Sequence, residues 1–210
     1  MIKKTILIFC LLSLSLIMDA QKVKASFGIQ GGGIVTMMKT IPEPSSPYIH
    51  GYGGVHFTMK FWNTIGFQVE TNYAFSGANF DKSESTTFPT ISNNSIKLEQ
   101  TYIQVPITLQ LHLGRVFILE GGYMQSIMQS AKFTESGQQE LIIDPDLAQA
   151  KYFGSLVGGL MINFSQSVYL NARYIQSLGN TYSFNGAMVK NTMITVGLGI
   201  RIFQTKKHAF

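Results

Sequence analysis

The chain has 210 residues, of which 45% are hydrophobic, and a formal net charge of +5. Its 16 Lys and Arg residues are scattered along the sequence, whereas a nucleic-acid groove needs a concentrated basic stripe. The single cysteine, Cys10, lies close to the N-terminus, so the rest of the chain has neither disulfide nor thiol chemistry.

Residues 1–20 have the pattern of a secretory signal peptide. Two lysines precede an apolar run over 5–17, and Ala20 supplies the small residue before a cleavage site. The run is shorter than the roughly 20 residues that a membrane-spanning helix needs. A large aromatic residue before Cys10 disfavours a lipoprotein site. We therefore predict a signal peptide over 1–20 and one mature domain over 21–210.

The mature chain alternates between apolar and polar residues with a period of two. Between 103 and 111 the odd positions are all apolar and the even positions are mostly polar, with the apolar face formed by Ile103, Val105, Ile107, Leu109 and Leu111. Strict alternation is typical of a strand with two different faces. Eight such segments are predicted, at about 23–37, 48–62, 65–78, 97–113, 116–131, 152–164, 168–179 and 191–203.

The connections between these segments alternate in length. Three are turns of about three residues, at 63–65, 113–115 and 165–167. The others are longer and polar, at about 38–47, 79–96, 132–151 and 180–190. Short turns on one side and long loops on the other are typical of outer-membrane barrels. The predicted fold is an all-β, eight-stranded antiparallel transmembrane β-barrel, with its N-terminus in the periplasm and four long loops outside the cell.

A soluble, lipocalin-like barrel would also alternate, but with its apolar face inward. An eight-stranded barrel has a lumen just wide enough for side chains to fill, which suits the glycines and ionic residues of the polar faces. On the apolar faces, aromatic residues fall at two heights, as in the girdles of membrane barrels. They are Phe61, Phe67, Phe117 and Phe164 near the short turns, and Tyr73, Phe75, Tyr123, Tyr152 and Tyr174 toward the long loops.

Five ionic residues fall on the polar faces of their strands, where we predict a structural ion network in the lumen. Arg173 is the expected central cation between Glu70 and Glu120, because these three lie at similar heights above the short turns. Lys60 and Arg201 are expected nearer the periplasmic side. A charge in so confined a place must be paired or hydrogen-bonded.

The short turns also predict a register for the flanking hairpins. A turn at 63–65 places Thr58 opposite Glu70, and a turn at 113–115 places Thr108 opposite Glu120. Pro106 interrupts its strand, since proline cannot donate to a ladder and usually occupies edges or bulges. We expect a local bulge there, or a water molecule on the neighbouring carbonyl.

Enzymatic chemistry finds little support in the sequence. No metal-binding motif occurs, and neither a metal nor another cofactor is expected. An outer-membrane lipid hydrolase would need a serine within hydrogen-bond reach of its base. His50 is the one histidine well placed at an outer strand end, and no serine partner is evident. We therefore expect no enzyme and no catalytic residues.

Several segments resemble the PorT-like family of Bacteroidetes outer-membrane barrels, among the porin-family small β-barrels. They are TYIQVPITLQLHLG at 101–114, FILEGGYMQSIM at 117–128 and LNARYIQSLGNTY at 170–182. A cleavage site before Gln21 is also typical of such exported proteins. The resemblance implies the fold and the membrane location. It implies no catalytic residues.

These patterns favour a non-enzymatic barrel that serves as a structural or interaction module, accessory to secretion or envelope assembly. An adhesion barrel that acts through its outer loops is the alternative, followed by a lipid-modifying enzyme. A narrow solute channel is disfavoured by a filled lumen. The expected surroundings are outer-membrane lipid and protein partners of the envelope or secretion machinery, with no nucleic acid. The oligomeric state stays open.

Overall fold

The computed structural model describes residues 23–40, 46–61, 64–80, 96–135, 141–143, 151–179, 182–184 and 187–205. The strands are β1 (Lys24–Thr40), β2 (Tyr48–Phe61), β3 (Ile65–Phe80), β4 (Ile96–Leu113), β5 (Phe117–Glu135), β6 (Leu141–Ile143), β7 (Tyr152–Asn163), β8 (Val168–Ser177), β9 (Tyr182–Phe184) and β10 (Ala187–Gln204). The proposed signal peptide lies outside the described residues. Within these residues, no helix has the length and apolar character to cross a membrane.

Eight of these strands form a closed antiparallel barrel. Their order around the ring is β1-β2-β3-β4-β5-β7-β8-β10, and β10 pairs with β1 to close it. The two short strands add to the ends of the barrel strands, β6 to β5 and β9 to β10. The predicted fold class is confirmed, and the eight barrel strands are the eight predicted from alternation.

The barrel strands run further toward the long connections than the sequence pattern indicates. β1 continues to Thr40, β3 to Phe80 and β5 to Glu135. Alternation depends on one face meeting lipid and the other meeting the lumen. Near the end of β3, Ser76, Gly77 and Ala78 are all buried, so the pattern is lost there although the ladder continues.

The two faces of the barrel differ in the way that a membrane barrel requires. Along β10, Ile194, Val196 and Leu198 point outward and are 40%, 50% and 55% exposed, whereas Thr195 between them is buried. Many other outward-facing side chains are also large and apolar. An apolar exterior around a buried polar lumen is the reverse of a soluble barrel. The membrane interpretation of the alternation is therefore the one that fits.

The hairpin registers differ from the predicted ones by two residues. Glu70 pairs with His56 rather than Thr58, and Glu120 pairs with Gln110 rather than Thr108. In the second hairpin the turn occupies 114–116 instead of 113–115, and it begins with Gly114 at a φ of 74°. Only glycine adopts this conformation readily, which sets where the turn starts. A shift of two keeps every side chain on its predicted face.

The expectation of a bulge at Pro106 is wrong. Pairing between β3 and β4 skips two positions of β4, Val105 and Pro106 itself, and resumes in the same register. The irregularity of β4 lies on its other side, against β5, between Thr101 and Tyr102. The missing N–H of proline therefore removes ladder bonds locally, while the neighbouring strands of the closed ring hold the register.

Candidate functional site

Arg173 lies in the middle of β8 and binds two carboxylates inside the lumen. Its Nε and Nη2 donate to Glu120 at 2.5 and 3.0 Å. Its Nη1 and Nη2 donate to Glu70 at 2.8 and 2.5 Å. All three residues are at most 6% exposed. The planar guanidinium fork can hold a carboxylate on each of two sides, which a lysine ammonium cannot do.

This ion cluster crosses the lumen from wall to wall. β8 and β3 are four strands apart in the ring of eight, so Arg173 reaches Glu70 on the opposite wall. Glu120 comes from β5, which is two strands away from β8. Three separate walls are thereby connected through one guanidinium.

A glycine on the strand between the pair makes the Arg173–Glu120 contact possible. Gly159 of β7 pairs with Glu120 on one side and with Arg173 on the other. A Cβ atom at this position would lie 2.8 Å from Cγ of Arg173 and 2.9 Å from Oε1 of Glu120. Sequence reasoning missed Gly159. Extending the registers of β5 and β8 across β7 would have found it.

Neutral amides complete the coordination of Glu70. Its carboxylate also accepts hydrogen bonds from Gln30, Gln68 and Asn72. The hydroxyl of Tyr169 donates to Gln30 in turn, at 3.0 Å. Two carboxylates and one guanidinium together carry one net negative charge. The amide donors stabilise this charge by hydrogen bonding. Buried charge is tolerated only with such complete hydrogen bonding.

Apolar side chains fill the lumen on both sides of the ion cluster. One buried group packs together from seven strands and consists of Ile34, Tyr52, Ala74, Met124, Val157, Ile175 and Met193. A second group consists of Ile118, Met161 and Tyr169. Together with the ion cluster they occupy the lumen of the described barrel. The interior predicted from the sequence is mostly polar, and the alternation gives no signal for inward-facing Met124 and Met161.

Lys60 and Arg201 do not join the ion cluster in the described part of the chain. They line a recess of about 1250 Å³ at the end of the barrel that carries the short turns, hereafter the turn end. Arg201 donates to the Gln166 carbonyl at 3.0 Å and to Asn163 Oδ1 at 2.8 Å. Its guanidinium lies 4.7 Å from the ring centre of Tyr169. Both cations lie closer to the turn end along their strands than Glu70 and Glu120 do.

The histidines do not form a recognisable catalytic or metal centre among the described residues. His50 packs against Tyr48, with ring centres 4.1 Å apart, and its Nε2 has no hydrogen-bond partner in the described structure. His56 is buried and its Nδ1 lies 3.1 Å from the Tyr169 hydroxyl. No group of three His, Cys, Asp or Glu residues in this part of the chain could hold a metal ion.

The closed eight-stranded ring, the apolar exterior and the lumen filled by an ion cluster and packed side chains define an integral β-barrel membrane protein. Residues 19–183 match the family model described as outer membrane protein beta-barrel domain. The match covers most of the chain, which therefore belongs to this family and sits in the lipid of the bacterial outer membrane. No protein among the curated sequences gives a significant match.

Two solved structures share the fold at low sequence identity. Ail, the attachment invasion locus protein of Yersinia pestis, was solved in complex with the heparin analogue sucrose octasulfate. It is 16% identical with a TM-score of 0.51, and the match covers 86% of this chain and 99% of Ail. Neisserial surface protein A is 12% identical with a TM-score of 0.56, over 85% of this chain and 99% of that protein. Both support the barrel fold.

Proposed function

We propose that this protein is a non-enzymatic outer-membrane barrel that serves as a membrane-anchored interaction module, accessory to secretion or envelope assembly. The observation that carries the proposal is the filled lumen. Arg173 connects three walls, and apolar groups fill the space on either side. With the lumen of its described part filled in this way, the barrel acts on other molecules at its two ends.

The orientation belongs to the same proposal. Residues 1–20 act as a cleaved signal, and mature protein starts at Gln21. The turn end faces the periplasm and the four long connections face the cell exterior, as short turns and long loops do in outer-membrane barrels. A secretion or envelope partner in the periplasm would then meet the turn end.

A surface-recognition barrel is the second candidate. The ladder of β4 and β5 continues to the Ile96–Glu135 pair, and β6 pairs with β5 over three residues near this end. Near its start, Lys97 forms an ion pair with Glu99 and lies 5.5 Å from the ring centre of Tyr48. Such a raised, mixed-charge edge is a suitable surface for an external ligand.

Site-specific photo-crosslinking in native outer membranes separates the two candidates. A photoreactive residue at Arg115 samples the turn end, and one at Lys97 samples the opposite end. We expect envelope or secretion proteins to be captured from Arg115. The same probe at lipid-facing Leu109, which is 64% exposed, should capture lipid alone. Capture of external ligands from Lys97, with none from Arg115, would favour the recognition role.

A further inference from the structure

We propose that the recess at the turn end is a binding site for a compact, multiply charged anion that carries phosphate groups. Four cationic side chains line it, namely Lys24, Lys60, Arg115 and Arg201, together with His112. None of the residues that line it in the described part of the chain is acidic. Its volume, about 1250 Å³, is at least as large as that of typical small-molecule sites, which span roughly 300–1,000 Å³.

The positive charge of this end is a property of the whole sequence. After the proposed signal, Glu70 and Glu120 are the two acids of the lumen, and both bind Arg173. The remaining acids fall in sequence within or beside the long connections, at Glu43, Asp81, Glu84, Glu99, Glu135, Glu140, Asp144 and Asp146. The turn end of the barrel thus carries basic residues without acidic ones. The mild net charge of the chain conceals this separation.

Two of the cations are held against each other by the fold. Lys24 of β1 is the direct cross-strand partner of Lys60 of β2. Like charges placed directly opposite destabilise an antiparallel pair. A bound anion between them would remove this repulsion, so the pair is better explained by a ligand than by stability.

Arg201 is already oriented, although it lacks an acidic partner among the described residues. Two neutral oxygens and the face of Tyr169 fix its guanidinium. A guanidinium held by neutral groups keeps its full charge for a ligand and loses little side-chain entropy on binding. His112 lines the same recess.

The basic side chains of the recess point into the barrel, and this orientation indicates which ligands can reach them. Lys60, Arg201 and His112 belong to the inward-facing sets of their strands, and the outward sets beside them are apolar. A ligand therefore reaches these side chains through the open turn end of the barrel. Phosphate groups suit the site because lysine ammonium groups bind phosphate as point charges and the arginine fork binds it bidentately.

Calorimetric titration with inorganic tripolyphosphate tests the proposal on the mature barrel refolded in a non-ionic detergent. We expect one saturable site per barrel, which weakens as salt is added because screening reduces charge attraction. The Lys24→Gln/Lys60→Gln double variant should bind roughly tenfold more weakly, a change of about 1.4 kcal/mol. Lys190→Gln removes one exposed lysine at the opposite end of β10 and serves as the matched control, which should bind as the parent does.

A second arm identifies the source of the phosphate. The titration is repeated with short-chain phosphatidylglycerol in the micelles. Loss of tripolyphosphate binding would identify a lipid headgroup as the occupant, and unchanged binding would identify a soluble phosphate compound. Absence of saturable binding at low salt would overturn the proposal. The proposal would also be overturned if Lys190→Gln lost as much affinity for tripolyphosphate as the double variant does. Unchanged affinity would overturn it as well, in a double variant that folds as the parent does, judged by the shift of its electrophoretic band on boiling.

Discussion

At the scale of single residues, the stability of the barrel depends on one arginine that serves two carboxylates. Arg173 is the sole guanidinium or ammonium that contacts Glu70 or Glu120 in the described part of the chain. Lys60 and Arg201 lie too far toward the turn end to replace it. Each carboxylate therefore loses its only cationic partner if Arg173 is removed.

Arg173→Met should destabilise the barrel strongly, by about 3–5 kcal/mol in unfolding free energy, because two buried carboxylates lose their cation. Adding Glu70→Gln and Glu120→Gln should recover part of the loss, since neutral amides are less costly to bury than unpaired charges. Urea unfolding in detergent measures both effects. The lipid-facing Leu109→Ala variant is the control and should combine additively with them. An unchanged midpoint for Arg173→Met, or no recovery, would contradict the proposed role of the cluster.

Gly159→Ala should destabilise the barrel by roughly 1–3 kcal/mol, the usual cost of overpacking. The new Cβ would lie 2.8 Å from both Cγ of Arg173 and the backbone oxygen of Ala172, and backbone cannot move aside easily. The adjacent Gly158→Ala is a matched control, because its Cβ would face outward with nothing within 4 Å. The two unfolding midpoints in urea are compared. Equal midpoints would show that Gly159 provides no space for the ion pair.

At the scale of secondary-structure elements, the turn between β4 and β5 determines which residues face each other across that hairpin. Gly114→Ala should cost about 1–3 kcal/mol, because alanine is strained at a positive φ. Gly179→Ala is the control, since Gly179 is also exposed and a Cβ there would meet nothing within 4 Å, but it has no positive φ. Refolding yield and urea midpoint measure the difference. If both variants behave like the parent, the conformation of Gly114 does not determine the turn.

The elements could be predicted from the sequence because alternation directly records which side chains meet lipid. Strand parity was sufficient to direct Arg173, Glu70 and Glu120 into the lumen. Parity repeats every two residues, so it could not detect the two-residue register difference at Glu70, which required knowing where each turn begins. It also could not reveal Gly159, whose role exists only once three strands are aligned. The inward methionines, such as Met124, were missed because an apolar residue facing the lumen looks like an interruption of the pattern.

At the scale of the whole molecule, the barrel is closed in its middle and open at the turn end. The ion cluster and the apolar group around Met124 and Met193 occupy the lumen. The turn-end recess stops at this filling. The two ends of the protein are therefore chemically separate, and a solute that enters the recess has no continuous route through the described barrel.

This separation predicts that the refolded protein gives no steady conductance of porin size in planar bilayers. In gel electrophoresis the protein should also migrate as a compact band unless it is boiled. Its circular dichroism spectrum should be dominated by β-strands. Truncating the apolar filling with Met124→Ala, Ile175→Ala and Met193→Ala should allow brief, small openings, because the cavities it leaves lie beside a polar wall that water can enter. Leu109→Ala, on the lipid face, should leave the bilayer recording as quiet as the parent's. Large, stable openings in the parent protein would mean that the lumen is not filled. In that case the barrel would be a channel, and the restriction of its activity to the two ends would be wrong.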